Sequence, residues 1–524
     1  MMKEKLTNLI KETLKSLGLK AVDFVVEHPV DLKMGDYSTN VGIKTGKAKE
    51  IITHLEVEPP SGVERMELAG PGFINFYLSK EFFRESLREI IDRGDEFGKN
   101  ENLKGEKVMV EHTQPNPFKA FHIGHLMNNT IGESISRIIQ ANGAEIKTAS
   151  YHGDVGMHVA KALWKGDYAL GAKAFEEDQA AKTEIQEINK KIYEKSDSDI
   201  SMKYEVGKKK SLNEFEKIYQ KLGSKFDYSF FESDAGEIGK NIVLDNVGKI
   251  FEESEGAVVY KGEKVGLHTR VFLNSDKLPT YEAKEIGLAK IKQRTFPFDQ
   301  SLTITGNEQD AFFNVVEVAT GEVFPNLKGK LKHLSHGMLR LPTGKMSSRA
   351  GDVITAEELI DEIKKKVKDN EAVAIGAIKY MILRQAIGND IVFDIDKSVS
   401  TKGDSGVYLQ YAYARTNSLL EKADAQGLIL NTNSQGQTLR NIHEVESLLY
   451  RFPEIVERAG RDYAPHYITT YLTALAGSFN NFYAHEQIID SSPESPRRLA
   501  IVKAFNIVMK NGLTILGIPA PERM

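Results

Sequence analysis

The segment between Lys107 and His152 constrains the fold most. "KVMVEHT" (Lys107 to Thr113), with Val108, Met109 and Val110 together, reads as a buried strand. Pro115 and Pro117 then break it. After the break, Leu126, Ile131, Ile135, Ile138 and Ile139 fall on one helical stripe, and "EIKTASYHGDVG" reads as the next strand and its loop. Strand, loop, helix, strand is the opening of a parallel α/β sheet with a Rossmann-like winding. The loop carries "PNPFKAFHIGHLMNN" (Pro115 to Asn129), in which His122 and His125 flank Ile123 and Gly124 where the helix begins. In doubly wound sheets, phosphates bind at that place, beyond a strand's carboxyl end and on a helix N-terminus. Gly124 removes a side chain, so a phosphate or a flat base can approach the backbone, and two imidazoles can donate hydrogen bonds to charge on a phosphoryl group. A zinc pair is the competing reading. Helical zinc pairs favour i, i+4 spacing with a glutamate between, which this segment lacks, and a chain without cysteine has no thiolate to complete the site. No metal ligands and no zinc are expected.

A second motif lies about 220 residues further on. "LPTGKMSSRAG" (Leu341 to Gly351) is a Gly- and Ser-rich stretch after a strand-like segment. Lys345 there can reach phosphates, and Ser347 and Ser348 add donors. Alone it reads as a solvated loop; after HIGH on the same chain it becomes a specific pair.

Around this core the chain divides. Residues 1–100 read as an α+β unit, opened by a helix with Leu6, Leu9, Ile10, Leu14 and Leu17 on one face. Residues 101–396 carry the α/β pattern, with a charged helical insertion at about 165–245. From about 397 to 524 the sequence turns into successive apolar-periodic helices, an all-α bundle. The 524 residues suit two to four domains, and no apolar run approaches a membrane span, so a cytoplasmic protein with no membrane contact is expected. A net charge of -5 lends no global support to nucleic-acid binding; any such contact must be local.

With both motifs in hand, the sequence resembles the class I aminoacyl-tRNA synthetases, whose signatures are HIGH and KMSKS; KMSSR is a variant of the second. The resemblance narrows to the arginyl-tRNA synthetases through "VEHTQPNPFKAFHIGHL", "KLPTYEAKEIGLAKIK" (Lys277 to Lys292), "VYLQYAYARTNSLLEKA" and the chain end "GIPAPERM". "GDYSTNVGIKTGK" and "AGPGFINFYLS" are similar to that family's N-terminal domain, so the likeness runs from end to end. It implies arginine–tRNA ligation: ATP-dependent formation of arginyl-adenylate, then transfer to the 3′ end of tRNA(Arg), with activation dependent on bound tRNA. It implies ATP with Mg2+, L-arginine and tRNA(Arg) as partners of a monomer. His122, Gly124, His125, Lys345, Ser347 and Ser348 would hold ATP, with His122, His125 and Lys345 catalytic. Glu111, Asn116, Tyr281, Glu285 and Gln309 would bind arginine; Tyr281 and Glu285, one helical turn apart, would share a face. Arg415 and Tyr411, beside Tyr408 and Tyr413, are candidates for tRNA contact or for packing. Three positions depart from the family pattern: Glu285 where Asp is common, Gln114 where Ser is common, and Val155 where Trp is frequent. The alternatives are another class I synthetase, a small nucleotidylyltransferase with an HxGH loop, or a synthetase-like RNA-binding protein without catalysis.

Overall fold

The structure is a computed structural model that describes residues 2–342, 354–428 and 442–524. Its centre is a five-stranded parallel sheet. In chain order the strands are β1 (Lys107–Glu111), β2 (Glu145–His152), β3 (Tyr228–Phe231), β4 (Gln300–Gly306) and β5 (Leu331–His336). Their spatial order is β3-β2-β1-β4-β5, every pairing parallel. The winding therefore reverses between β1 and β4, where the crevice of such a sheet opens. Helices pack on both faces: α1 (Ile123–Ala141), α2 (Ser198–Leu222), α3 (Glu232–Asp245), α4 (Tyr281–Thr295) and α5 (Asp310–Val323). The α1 stripe read from the sequence is buried without exception, from Leu126 through Ile139.

The region expected as one helical insertion at about 165–245 is more than that. Helices Met157–Lys165, Tyr168–Glu177 and Gln179–Glu194 precede α2, and then the chain re-enters the sheet as β3. Four residues between two charged helices give too short an alternation to announce a strand. Phe215, Ile218, Tyr219 and Leu222 of α2 join the central core, so the last insertion helix is a wall of the catalytic fold. The strand-like segments near 257–273 pair in a separate three-stranded antiparallel sheet (Glu252–Ser254, Ala257–Tyr260, Arg270–Leu273).

The N-terminal segment places helix Met2–Ser16 on a four-stranded antiparallel sheet around Tyr37, Ile74 and Phe76, with Leu6, Ile10 and Leu14 buried against it. The C-terminal segment is helical, from Gly406–Ala425 to Ser495–Ile515. Its apolar interior is continuous with that of the parallel sheet: Ile131 and Ile135 of α1 share one core with Ile378, Leu409, Leu472 and Phe505. Lys379 is buried at this junction. Its Nζ donates to Leu222 O at the end of α2 (2.6 Å) and to Gly517 O (2.7 Å), capping two helix C-termini at once.

Candidate active site

The loop from β1 to α1 is held in an unusual backbone shape. Thr113 (φ 76°), Gln114 (φ 49°) and Phe118 (φ 68°) are all left-handed without being glycine. Such residues persist only where their surroundings over-determine them, and here they do. Asn128 of α1 accepts from Thr113 N (2.9 Å) and donates to Ile304 O of β4 (2.7 Å). Phe118 N donates to Ser211 Oγ of α2 (3.0 Å). The Phe118 ring lies where a side chain on residue 207 would be, a Cβ there falling 2.3 Å from it, so Gly207 is the seat on which the loop rests.

This loop delivers the two histidines. His122 is the N-cap of α1: its Nδ1 accepts from Gly124 N (3.1 Å), and His125 Nδ1 accepts from His122 N (3.2 Å). Both Nδ1 atoms are acceptors, so the neutral rings carry their protons on Nε2. The rings stack at 3.7 Å, and burial with neighbouring positive charge lowers the pKa of both, His125 most. The result is two neutral imidazoles, each with a fixed Nε2–H left to donate. Gly124 suits this arrangement: a Cβ there would sit 3.0 Å from His122 Nδ1 and Cε1 and press the ring out of its place. The pair lines a cleft of about 310 Å³ that spans the carboxyl ends of β1, β4 and β5, with Gln114, Thr305, Gln309 and His336 among its walls. Leu339 also lines it, and on the far side of the second motif Ile123 N donates to Ile354 O (3.1 Å) and Ala356 N to Phe121 O (2.9 Å). The chain before residues 343–353 thus borders the cleft, and the chain after them is bonded to the segment that carries His122. Lys345, Ser347 and Ser348 themselves lie outside the described residues.

Beyond Gln114 the surroundings turn acidic. Gln114 Nε2 donates to Glu111 Oε1, linking the histidine cleft to a buried carboxylate that is ion-paired with Lys292. Glu285 on α4 is enclosed beside it, and burial, reinforced by the Glu111 charge, pushes its carboxyl up to about 8. Glu232 pairs with Lys284 (2.6 Å), and Asp154 with Lys208 (2.7 Å). Three of these four carboxyl groups have a lysine within ion-pair distance, Lys119 adds its charge opposite Glu232, and Glu285 is the one with no ion-pair partner among the described residues. The hydroxyl of Tyr151, also buried, has no hydrogen-bond partner among the described residues, and its ionisation is opposed by burial and by Glu285, Glu232, Glu111 and Asp154. Among the described residues, then, Glu285 is without an ion-pair partner and the Tyr151 hydroxyl without a hydrogen-bond partner. A ligand cation would supply both.

Asn116 accepts from Gly153 N (2.9 Å) at the end of β2, close to Glu232. Tyr281 opens α4 on the same face as Glu285 and is 65% exposed. Glu111, Asn116, Tyr281 and Glu285 therefore border the acidic pocket, whereas Gln309 borders the histidine cleft next to it. Val155 packs into the insertion with Val159 and Ile185. Arg415 and Tyr411 are on the helical bundle: the Arg415 guanidinium lies 4.7 Å over Tyr411 and 5.1 Å over Tyr483, and its Nη1 donates to Asn480. Tyr411 is 43% exposed, Tyr413 buried.

Lys292, Asp154 and Glu232 were not singled out from the sequence, and Gln114 only as a departure from the family pattern. Asp154 carried a signal in "HGDVG": a buried carboxylate taking bonds from Ser233 N and Oγ, Tyr204 and Lys208, which fixes β2, α3 and α2 together.

Three family models cover the chain: "Arginyl tRNA synthetase N terminal domain" over residues 4–78, "tRNA synthetases class I (R), catalytic domain" over 87–395, and "DALR anticodon binding domain" over 409–524. Similar curated proteins include the arginine–tRNA ligases of Streptococcus pneumoniae, 30% identical across all of both chains, and of Porphyromonas gingivalis, 30% identical over 88% of each. Among solved structures, the arginyl-tRNA synthetase of Plasmodium falciparum matches with a TM-score of 0.77 at 20% identity, covering 100% of this chain and 99% of that one. That of Thermus thermophilus matches with 0.74 at 24% identity, covering all of both. At those identities the structural likeness is one of fold.

Proposed function

Since the chain belongs to the arginyl-tRNA synthetase family, we propose that it activates L-arginine with ATP and joins it to the 3′ end of tRNA(Arg). The observation that carries this reading is the junction at Gln114, where a cleft with two neutral Nε2–H donors meets a cluster of carboxyl groups in which Glu285 has no ion-pair partner among the described residues.

ATP occupies the cleft. His122 and His125 donate through Nε2 to its phosphate oxygens, and Gly124 lets the nucleotide reach the backbone. Lys345, with Ser347 and Ser348, takes the departing pyrophosphate. Arginine enters the acidic pocket, its guanidinium on Glu285 with Tyr281, its amino and carboxylate groups near Glu111, Asn116 and Gln309. A carboxylate oxygen of arginine bonds to the α-phosphorus as the bond to pyrophosphate breaks. Neutral donors suit the charge that grows on the phosphoryl oxygens. The terminal ribose hydroxyl of the tRNA then attacks the arginyl carbonyl, and AMP leaves. Magnesium arrives on the nucleotide's phosphates as part of the substrate; among the described residues no group of three His, Asp or Glu side chains could hold an ion unaided.

The division into residues 1–100, 101–396 and 397–524 gives one unit for tRNA contact, one for chemistry and one for the anticodon, and the spans of the family models support it. On the last unit Arg415 and Tyr411 offer a cation stacked on an exposed ring to unpaired bases. One chain carries every part named, so the enzyme acts as a monomer, in the cytoplasm where its tRNA is. ATP–pyrophosphate exchange, measured over a panel of amino acids with and without tRNA(Arg), tests the reading. Exchange with arginine alone, appearing on addition of tRNA, is expected; exchange with a different amino acid would replace arginine as the substrate.

A further inference from the structure

The N-terminal unit meets the helical bundle at a buried cluster of charges. His28, after strand Val26–Glu27, comes from the N-terminal side, with Asp36 and Tyr37 at the start of strand Tyr37–Thr39. Tyr450, Arg451 and Glu454 come from the bundle, at the start of helix Phe452–Asp462. Tyr37 is fully buried, and its hydroxyl donates to Glu454 Oε1 (2.6 Å). Glu454 Oε2 lies 3.2 Å from His28 Nε2, and His28 Nδ1 lies 2.6 Å from Asp36 O. Both ring nitrogens thus face an acceptor, and the cationic ring, with a proton on each, satisfies both. Burial raises the Glu454 carboxyl, but His28, the Tyr37 hydroxyl and the charge of Lys3 outweigh it and hold the group below its ordinary value, so the carboxylate is charged. Asp36 Oδ2 accepts from Leu78 N (2.9 Å); burial raises its carboxyl, with Arg451 and His28 pulling against that.

The same short helix reaches all three units. Tyr450, just before it, is built into the N-terminal core, with its ring against those of His28, Tyr37, Phe82 and Phe83. Phe452, two residues on, belongs to the central core and packs on Phe97 and Tyr471. Further along, Val456 O accepts from Nδ2 of Asn142 (3.2 Å), the residue that closes α1. A Cβ on Gly460 would fall 2.3 Å from that same nitrogen, so the helix lies hard against the end of α1. At its other end α1 begins at His122. The chain that leaves the N-terminal unit is also anchored to the bundle: Lys510 pairs with Asp95 (3.0 Å), and Asn511 Nδ2 donates to Gly94 O and Phe97 O (2.9 Å each).

We propose that His28, Tyr37 and Glu454 form a lock that makes the N-terminal unit, the bundle and α1 one rigid body, so that a tRNA held on two separate surfaces meets the cleft in a single orientation. The proposal rests on the ligase reading above, which gives both outer units a share of the tRNA. The three side chains are positioning residues, since none lines the cleft. Charge is what makes the contact specific. An apolar interface tolerates a small slip, whereas a slip here leaves an imidazolium and a carboxylate, both largely buried, without partners. Two binding surfaces fixed on one body hold a ligand more tightly than the same surfaces on a pivot, because the second contact forms at a higher effective concentration.

The test is a double-mutant cycle in the full chain: His28→Ala, the isosteric Glu454→Gln, and the two together. Binding is measured with intact tRNA(Arg) and with its isolated anticodon stem–loop. Each single variant should bind intact tRNA about ten-fold more weakly. The double variant should also lose about ten-fold and not about a hundred-fold, because the two side chains act as one pair. The stem–loop, which needs only the bundle, should bind all four proteins alike, and KM for arginine at saturating tRNA should not move. Hydrogen exchange in residues 26–39 should quicken in all three variants, while residues 123–141 keep their protection. Unchanged affinity for intact tRNA, additive losses in the double variant, or an equal loss with the stem–loop overturns the proposal. Unfolding of residues 123–141 along with 26–39 does the same, since the cluster would then support the whole fold. Absence of arginylation by the wild type would instead strike the ligase reading, and the exchange measurements would still decide the lock.

Discussion

Arginine should bind this protein about ten-fold more tightly at pH 9 than at pH 7, because Glu285 must lose a proton to receive the guanidinium. Burial and the adjacent Glu111 hold its carboxyl at about 8 in the free protein, up from 4.5. If only the ionised form binds, the apparent Kd equals the intrinsic Kd multiplied by 1 + 10^(8 − pH), a factor of about 11 at pH 7 and about 1.1 at pH 9. At pH 7 about 0.9 proton should leave with each arginine bound. Calorimetric titration in two buffers of different ionisation enthalpy reads that proton directly. The stability of the free protein moves the opposite way with pH. The folded free protein holds this proton more firmly than the unfolded chain does, so the group favours folding below about pH 4.5, and that contribution is lost as pH rises through 8. Arginine replaces the missing proton as the neutralising charge, so the rise in Tm at saturating arginine should be larger at pH 9 than at pH 7. Glu285→Gln should bind arginine weakly at every pH and release no proton. An arginine affinity in the wild type that stays flat from pH 6.5 to 9, with no proton released, would refute the assignment of the guanidinium to this carboxylate.

His122→Ala and His125→Ala should each slow adenylate formation by about 10²–10³-fold while leaving the arginine Kd within about two-fold, as single-turnover kinetics would show. Equal losses in rate and arginine affinity would make the pair structural. Gly207→Ala places a Cβ 2.3 Å from the Phe118 ring and should cost about 1–3 kcal/mol in denaturant unfolding, despite the better helix propensity of alanine. It should also raise KM for arginine, because α2 supplies Tyr204 and Lys208 to Asp154. Lys379→Met leaves Leu222 O and Gly517 O without their donor and should destabilise the chain by about 1–3 kcal/mol per orphaned carbonyl. An unchanged unfolding midpoint would mean that water replaces the ammonium.

The parts legible in the sequence are those written in local periodicity or in short motifs. The α1 stripe, the β1 run and the first-helix face at Leu6, Ile10 and Leu14 all appear in place, because each repeats a pattern over several turns or alternations. His122, Gly124 and His125 were legible because the prolines, the glycine and the helix start fixed their setting. What was hidden depends on contacts between distant segments. β3 is four residues whose strand character comes from pairing with β2. Lys292 closes the stretch that carries Tyr281 and Glu285, but nothing local marks it, and it matters only because the fold brings it to Glu111. Phe118 and Ser211 are 93 positions apart, and nothing local to either announces the bond. The change to helical periodicity read near residue 397 is preceded by helices Ala356–Lys366 and Glu371–Leu383, and the apolar core runs straight across it from Ile135 to Leu472, since burial follows packing and not chain order. Tyr411 and Tyr413 show the limit of composition: two residues apart on one helix, one faces outward beside Arg415 and the other is buried.

The most direct test of the central claim is attachment itself: purified protein, ATP, tRNA(Arg) and each of the twenty labelled amino acids in turn, with acid-precipitable label measured to plateau. Arginine alone should charge the tRNA, approaching one arginine per tRNA, and the His122→Ala protein should fall far behind in rate. A different amino acid reaching that plateau, or no charging by a protein that binds the tRNA tightly, would contradict the account.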